Sequence, residues 1–363
     1  VRPRWHVEQV TVAPTGAPPW RVRGAQRALV AESLDQWGFD DWAWGTPELM
    51  SFLRRADYER CELLVARAPD SPEGDPDAVV GAIILELPLV DNTSFASANV
   101  WARPGADCRA ELLDAALELA AREGRTTFLL ETDHPPAGPD AELLEPRSGT
   151  GRLPADELTR LAASRGFALE QVERISTFRF PADDGALATL RDEAATHAGN
   201  DYTIHLWQGP TPERWLAELA ALIGRMSVDA PLAGIDYEPE AWDAERVRAR
   251  DARRTEKDRG GLTVVAEHLA SGHLAAFTEV EWPLASPEVA FQFDTLVAGP
   301  HRGRRLGMLV KTHQLLELAR IRPGLRRLHT WNATENRHML AINEALGFTV
   351  TGHSGEWQRT LTP

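Results

Sequence analysis

The hydrophobic pattern is most regular between residues 288 and 321. Over EVAFQFDTLV (288–297) apolar and polar residues alternate as on a strand with one buried face. Over MLVKTHQLLELARI (308–321), Leu309, Leu315, Leu316 and Ala319 recur near the helical period. The intervening AGPHRGRRLG (298–307) breaks both periods with Gly and Pro, so the segment reads as strand, turn and a helix packed on the sheet. A strand RRLHTWN (326–332), a helix TENRHMLAINEAL (334–346), the pair Gly347-Phe348 and a ribbon TVTGHSGEWQRTL (349–361) follow.

The first half repeats that order: TSFASANVWA (93–102), RPGADC (103–108), helix RAELLDAALELAAREG (109–124), strand TTFLLETD (126–133), helix ADELTRLAAS (155–164), Gly166-Phe167 and ALEQVERISTFRF (168–180). One extra segment, HPPAGPDAELLEPRSGTG (134–151), has the Pro and Gly density of a surface loop. Repeated order and spacing predict a tandem duplication of one α/β (α+β) unit: a degenerate N-terminal domain over 1–182, a linker over 183–200 and a catalytic C-terminal domain over 201–363, beginning with strand YTIHLW. The alternative is a single large mixed domain in which the Gly-Phe echo is accidental.

With 363 residues, 43% of them hydrophobic, the chain can fill a core in each of two domains. No window approaches the 18 or so apolar residues of a membrane span, and VRPRWHVEQV lacks the layout of a signal peptide, so a cytoplasmic protein without membrane partners is expected. Cys61 and Cys108 are too few for a disulfide framework and have no zinc spacing; no metal is expected. A net charge of -15 repels phosphate backbones and attracts cations, which favours a basic small molecule over nucleic acid.

Within that acidic chain the turn HRGRRLG (301–307) is basic. A turn that gathers backbone N–H groups and a helix N-terminus into one concavity makes an anion site, because those donors lack intrahelical partners and the helix dipole is positive there. Arg302, Arg304 and Arg305 can add charge-assisted bonds, and Gly303 and Gly307 allow close approach of a pyrophosphate. The turn is neither a Walker A loop nor the dinucleotide G-x-G-x-x-G.

These residues resemble the GCN5-related N-acetyltransferases, whose signature Q/R-x-x-G-x-G/A lies between the fourth strand and third helix. Arg302 fills its first position, Gly307 its last, and Arg305 stands where the middle glycine belongs. With TWNATENRHMLAINEALGF downstream, the combination resembles the tandem acetyltransferases of actinobacteria that include mycothiol-synthase-like enzymes; the resemblance is strong over about 202–360 and only a pattern before that. It implies two units, each a mostly antiparallel mixed sheet flanked by helices with a splayed central strand pair, and acetyl-CoA as acyl donor. It further implies that backbone groups near Leu296 and Val297 hold the pantetheine arm at a bulge. The turn Arg302, Gly303, Arg304, Arg305, Leu306, Gly307 would hold pyrophosphate, with Asn332 and Asn336 reaching the cofactor. The slot often filled by a tyrosine that protonates the leaving thiolate is Asn343. The turn RPGADC lacks the arginine cluster and carries Asp107, so the first unit is not expected to bind acetyl-CoA productively.

Acyl transfer to an ammonium needs a base. Glu279 in AAFTEVEW is favoured and Asp294 in FQFDTLV competes; Glu281 shares the face of Glu279. Met226, Asp229 and Tyr237, in the interrupted segment 223–242, are candidate acceptor contacts, Asp229 being suited to an amine. The resulting expectation is an acyl-CoA-dependent N-acetyltransferase of a small-molecule amine, working as monomer or homodimer. The alternative is a catalytically inactive CoA-binding or scaffolding protein.

Overall fold

The computed structural model describes residues 4–54, 56–229 and 231–361, which form two compact units. Neither is continuous in sequence: the first takes residues up to 173 together with 232–238 and those from 352 onward, and the second takes 174–231 and 239–351.

The first unit begins with β1 (His6–Val10), α1 (Trp20–Trp37), α2 (Thr46–Leu53), β2 (Glu59–Arg67), β3 (Val79–Pro88), β4 (Phe95–Ala102), α3 (Arg109–Arg122) and β5 (Thr127–His134). A two-residue ladder of β6 (Leu143–Leu144) with β7 (Leu153–Pro154), then α4 (Glu157–Ser164) and the start of β8 (Ala168–Arg179), follow. β1 to β4 pair antiparallel in sequence order, and β4 pairs parallel to β5 only from Phe95/Thr127 to Asn99/Glu131. Strand β3 is apolar from Val79 to Leu85 because that stretch is buried on both faces: Ile83 and Leu85 enter one core cluster with Leu112 and Phe128, Ala82 and Ile84 another with Val22 and Trp101.

The second unit continues with α5 (Asp184–Ala198), β9 (Tyr202–Gln208), α6 (Leu216–Gly224), α7 (Met226–Asp229), α8 (Ala244–Glu256), β10 (Arg259–His268), β11 (His273–Pro283), β12 (Val289–Val297), α9 (Leu306–Ile321), β13 (Arg327–Ala333), α10 (Arg337–Leu346) and the start of β14 (Thr349–Thr360). From residue 353 β14 pairs antiparallel with β5 and so completes the first unit. Residues 183–200, read from sequence as a linker, are largely the helix α5, whose Leu187, Ala194 and Ala198 are buried in the second unit's core.

In the second unit β9 to β12 are antiparallel neighbours and β12 runs parallel to β13, the same ladder as β1 to β5. One face of this sheet packs on α5 and α9 through Val264, Val280 and Ala290, the other on α6 and α8 through Val265, Phe277 and Leu296. The parallel pairing ends at Phe291/His329, although β12 continues to Val297 and β13 to Ala333, so the two strands part and leave facing backbone edges open. On its other side β12 pairs with β11, Thr278 opposite Thr295 and Val280 opposite Gln292; Glu279 therefore faces two residues, Phe293 and Asp294, across a β-bulge.

Candidate active site

The turn between β12 and α9 has the geometry its sequence promises. Gly303 lies at φ 79°, and Arg305, in the slot where the signature has glycine, adopts φ 56°, ψ 21° as the residue capping α9. The left-handed conformation that glycine would supply is retained by an arginine, at a cost of about 1–2 kcal/mol. The first helical bond of α9 is Leu309 N–H to the Arg305 carbonyl, so the amides of Leu306, Gly307 and Met308 have no acceptor within the helix. A Cβ on Gly307 would stand 3.2 Å from Ile342 Cδ1 of α10 and 3.7 Å from Val297 Cγ2 of β12, so the absent side chain lets α9 approach both.

These amides border a cavity of about 890 Å³. Its floor includes Thr295, Leu296 and Val297 of β12; the start of α9 forms one wall and the start of α10, from Asn336 to Met339, another. Two helix N-termini thus meet at one cavity, and Arg302, Arg305 and Arg337 stand around it. The Asn336 side chain caps α10 by accepting from Met339 N–H at 3.2 Å. A third wall comes from α5 through Leu190, Glu193 and His197, and His197 Nε2 lies 2.9 Å from the Gly303 carbonyl, bracing the turn.

Among the residues singled out from sequence, Leu296, Val297, Arg302, Gly303, Arg305, Leu306, Gly307, Asn336, Met226 and Asp229 line this cavity. Arg304 is exposed outside the lining. Asp229 is not free for an amine: it accepts from Arg225 at 3.2 Å and from Arg302 at 3.0 Å, tying α7 to the turn. Tyr237 belongs to the first unit, where its ring stands edge-on to Phe95 with centroids 5.7 Å apart. Asn332 and Asn343 lie beside the cavity rather than on it, and bind each other, Asn343 Nδ2 donating to Asn332 Oδ1 at 2.7 Å.

The two candidate bases differ in environment. Glu279 is buried and its two oxygens accept from Arg250 Nη1 at 2.8 Å and Nη2 at 2.9 Å, with Thr263 donating at 3.0 Å. Glu281 is bound by Arg254 at 2.7 Å. Asp294, on the bulge, makes no hydrogen bond or ion pair with the described residues. Burial, and next the neighbouring Glu279 carboxylate, push its carboxyl up to about 6.

In the equivalent turn of the first unit the charged side chains are already paired within the protein. Asp107, just before α3, accepts from Arg4 and from Trp5 Nε1, and Glu32 contacts Arg109 in the helix's first turn. Arg103 is turned away to Asp77 and the Val79 carbonyl. Cys108 is buried, its thiol pushed up to about 12 by that burial.

Solved structures similar to this chain share this architecture. A tandem GCN5-related N-acetyltransferase (GNAT) protein of the clavulanic acid biosynthesis pathway matches 99% of this chain and 99% of its own at 23% identity, with a TM-score of 0.72. A GCN5-related N-acetyltransferase of Sphaerobacter thermophilus matches 99% of this chain and 96% of its own at 12% identity and a TM-score of 0.62. A fungal glucosamine N-acetyltransferase region matches 98% of this chain and 38% of its own at 16% identity and 0.56. No protein-family model matches the sequence, and no curated protein does. The chain has the tandem fold of the GCN5-related N-acetyltransferases.

Proposed function

We propose that this protein is an acyl-CoA-dependent N-acyltransferase, with acetyl-CoA as donor and a small-molecule amine as acceptor, and that the second unit holds the reaction. The observation that carries this reading is a cavity at which two helix N-termini, a basic turn and the end of β12, beyond its pairing with β13, meet. A long ligand with phosphates at one end and amides along its length fits those features, because the amides can pair with the unpaired edges of β12 and β13 while the phosphates take the turn. Arg305 and the amides at Leu306 to Met308 would hold the pyrophosphate, and the Leu296–Val297 backbone the pantetheine arm. When bound, the cofactor supplies an activated acyl thioester.

The chain's own part is proton management. Asp294 is the base in this reading: it is the carboxylate left free beside the bulge, and a value near 6 makes it ionised at pH 7 yet more basic than an ordinary aspartate. Glu279 is committed to Arg250 and acts on Asp294 through its charge. Asn343 has no proton to give at neutral pH and so does not serve as a general acid.

Calorimetry with CoA separates the two units. Gly307→Val adds methyl groups where even a Cβ is 3.2 Å from Ile342, and should weaken CoA binding at least tenfold in a folded protein. Asp107→Ala, in the first unit's turn, should leave the affinity within twofold. Unchanged affinity in Gly307→Val with loss in Asp107→Ala would move the site to the other unit.

A further inference from the structure

The bulge that frees Asp294 leaves a bonding problem on the opposite face of the sheet. Between the pairs Val280/Gln292 and Thr278/Thr295, one residue of β11 faces two of β12, so the ladder cannot satisfy every backbone group there. Gln292, 3% exposed, occupies that gap: its Nε2 lies 2.6 Å from the Glu279 carbonyl, 3.0 Å from Thr278 Oγ1 and 3.4 Å from the Phe293 carbonyl. Three oxygens around one nitrogen fix the amide's orientation. Thr278 Oγ1 is in turn 2.7 Å from Thr295 Oγ1, so a chain of side chains runs from the residue before the bulge to the residue after it.

The faces are unambiguous. Val280, opposite Gln292, is in the core under α9, and Val297, two residues beyond Thr295, packs against that core. Glu279 reaches Arg250 of α8, and Leu296, two residues beyond Asp294, is in the core with α6 and α8. The polar chain therefore lies on the α9 side and the carboxylates on the α8 side. A slip of one residue would exchange them, sending Asp294 into an apolar core where a carboxylate has no partner.

We infer that Gln292 and Thr278 form a buried staple that sets the register of the bulge, and that they are positioning residues for Asp294, holding its carboxylate on the α8 face of the sheet. The charged groups facing Asp294 there are Glu279 and Glu281 of β11, Arg250 of α8 and Glu240 of the preceding loop. The role assigned to Asp294 rests on the proposed function; the staple itself rests on the hydrogen bonds alone.

The test is a ¹³C titration of the Asp294 carboxyl in the full chain, its resonance identified by loss in Asp294→Asn, alongside kcat with acetyl-CoA and an amine. Gln292→Met keeps the length but removes the donors, and Thr278→Val removes one hydroxyl at constant shape. In each, the titration midpoint should move by at least one pH unit and kcat should fall at least tenfold, with KM for acetyl-CoA within about twofold. Thr278→Ser, which keeps the hydroxyl, should restore the wild-type midpoint and rate. A wild-type midpoint in folded Gln292→Met, or in Thr278→Val should the first not fold, would overturn the staple. A moved midpoint together with full turnover by Asp294→Asn would leave the staple standing and remove Asp294 as the base.

Discussion

Asp294→Asn should lower kcat at pH 7 by about 10²–10⁴-fold, the range for loss of a positioned general base, with little change in CoA affinity. An alkyl amine with a pKa near that of lysine is almost wholly protonated at pH 7, so without the carboxylate only the small free-amine fraction can react. The variant should therefore regain rate as the pH rises toward the pKa of the amine, while the wild type shows an acid limb near 6, where Asp294 titrates. Glu279→Gln should behave differently. It removes the negative charge that helps hold the Asp294 carboxyl up and takes from Arg250 its carboxylate partner on β11, so the acid limb moves to lower pH while the plateau rate survives better than in Asp294→Asn. A pH–rate profile of the two variants checks this. An inactive Glu279→Gln that is rescued by pH, beside an unaffected Asp294→Asn, would assign the base to β11.

The second large effect is on stability. Lys311, one of two lysines in the chain, is 1% exposed within α9, its Nζ 5.5 Å from the centre of the Phe348 ring, and it makes no hydrogen bond or ion pair with the described residues. Burial alone brings its amine down from 10.5 to about 7. Because the folded value is depressed, the unfolded chain binds more protons between pH 7 and 10.5, so this site's contribution to stability rises with pH through that window. Below pH 7 the lysine is charged in both states and the full burial penalty stands, on the order of 3–5 kcal/mol. Lys311→Met keeps the aliphatic length, packs on Phe348 and removes the charge. Thermal unfolding should show the variant about 5–10 °C more stable than wild type at pH 6.5, the two converging near pH 10. A lower melting temperature for Lys311→Met at pH 6.5 would mean that the ammonium is stabilised in the fold.

How much of this was legible in the sequence depends on the range of the interactions. The turn from Arg302 to Gly307 was legible because its determinants are local: alternation in β12, glycines in the turn, and a helical period from Leu309 onward. The equivalence of the two units was legible as a repeated order of strand, turn and helix, and both carry the same ladder with a short parallel pairing. Pairings between distant residues were not. That Arg250 neutralises Glu279 depends on how α8 lies over β11, which no spacing announces, and it makes Asp294 the freer carboxylate. That Asp229 belongs to Arg225 and Arg302 likewise needs α7 to meet the turn. α5 was hidden because an alanine-rich stretch between repeats reads equally as a connector, whereas His197 and Leu190 make it a wall of the cavity. Tyr237 was misplaced because residues 232–238 belong to the first unit although they lie in the second half of the chain; Glu238 N–H there donates to Asn92 Oδ1 at 2.6 Å.

The central claim, that the second unit transfers an acyl group from a CoA thioester to an amine, is tested most directly by thiol release from acetyl-CoA in the presence of a panel of primary amines, with product mass as the second readout. Amine-dependent release of CoA with a product heavier by one acetyl group, abolished by Asp294→Asn and strongly weakened by Gly307→Val, is the predicted result. Tight CoA binding without release for any amine would instead show a CoA-binding protein on the same fold.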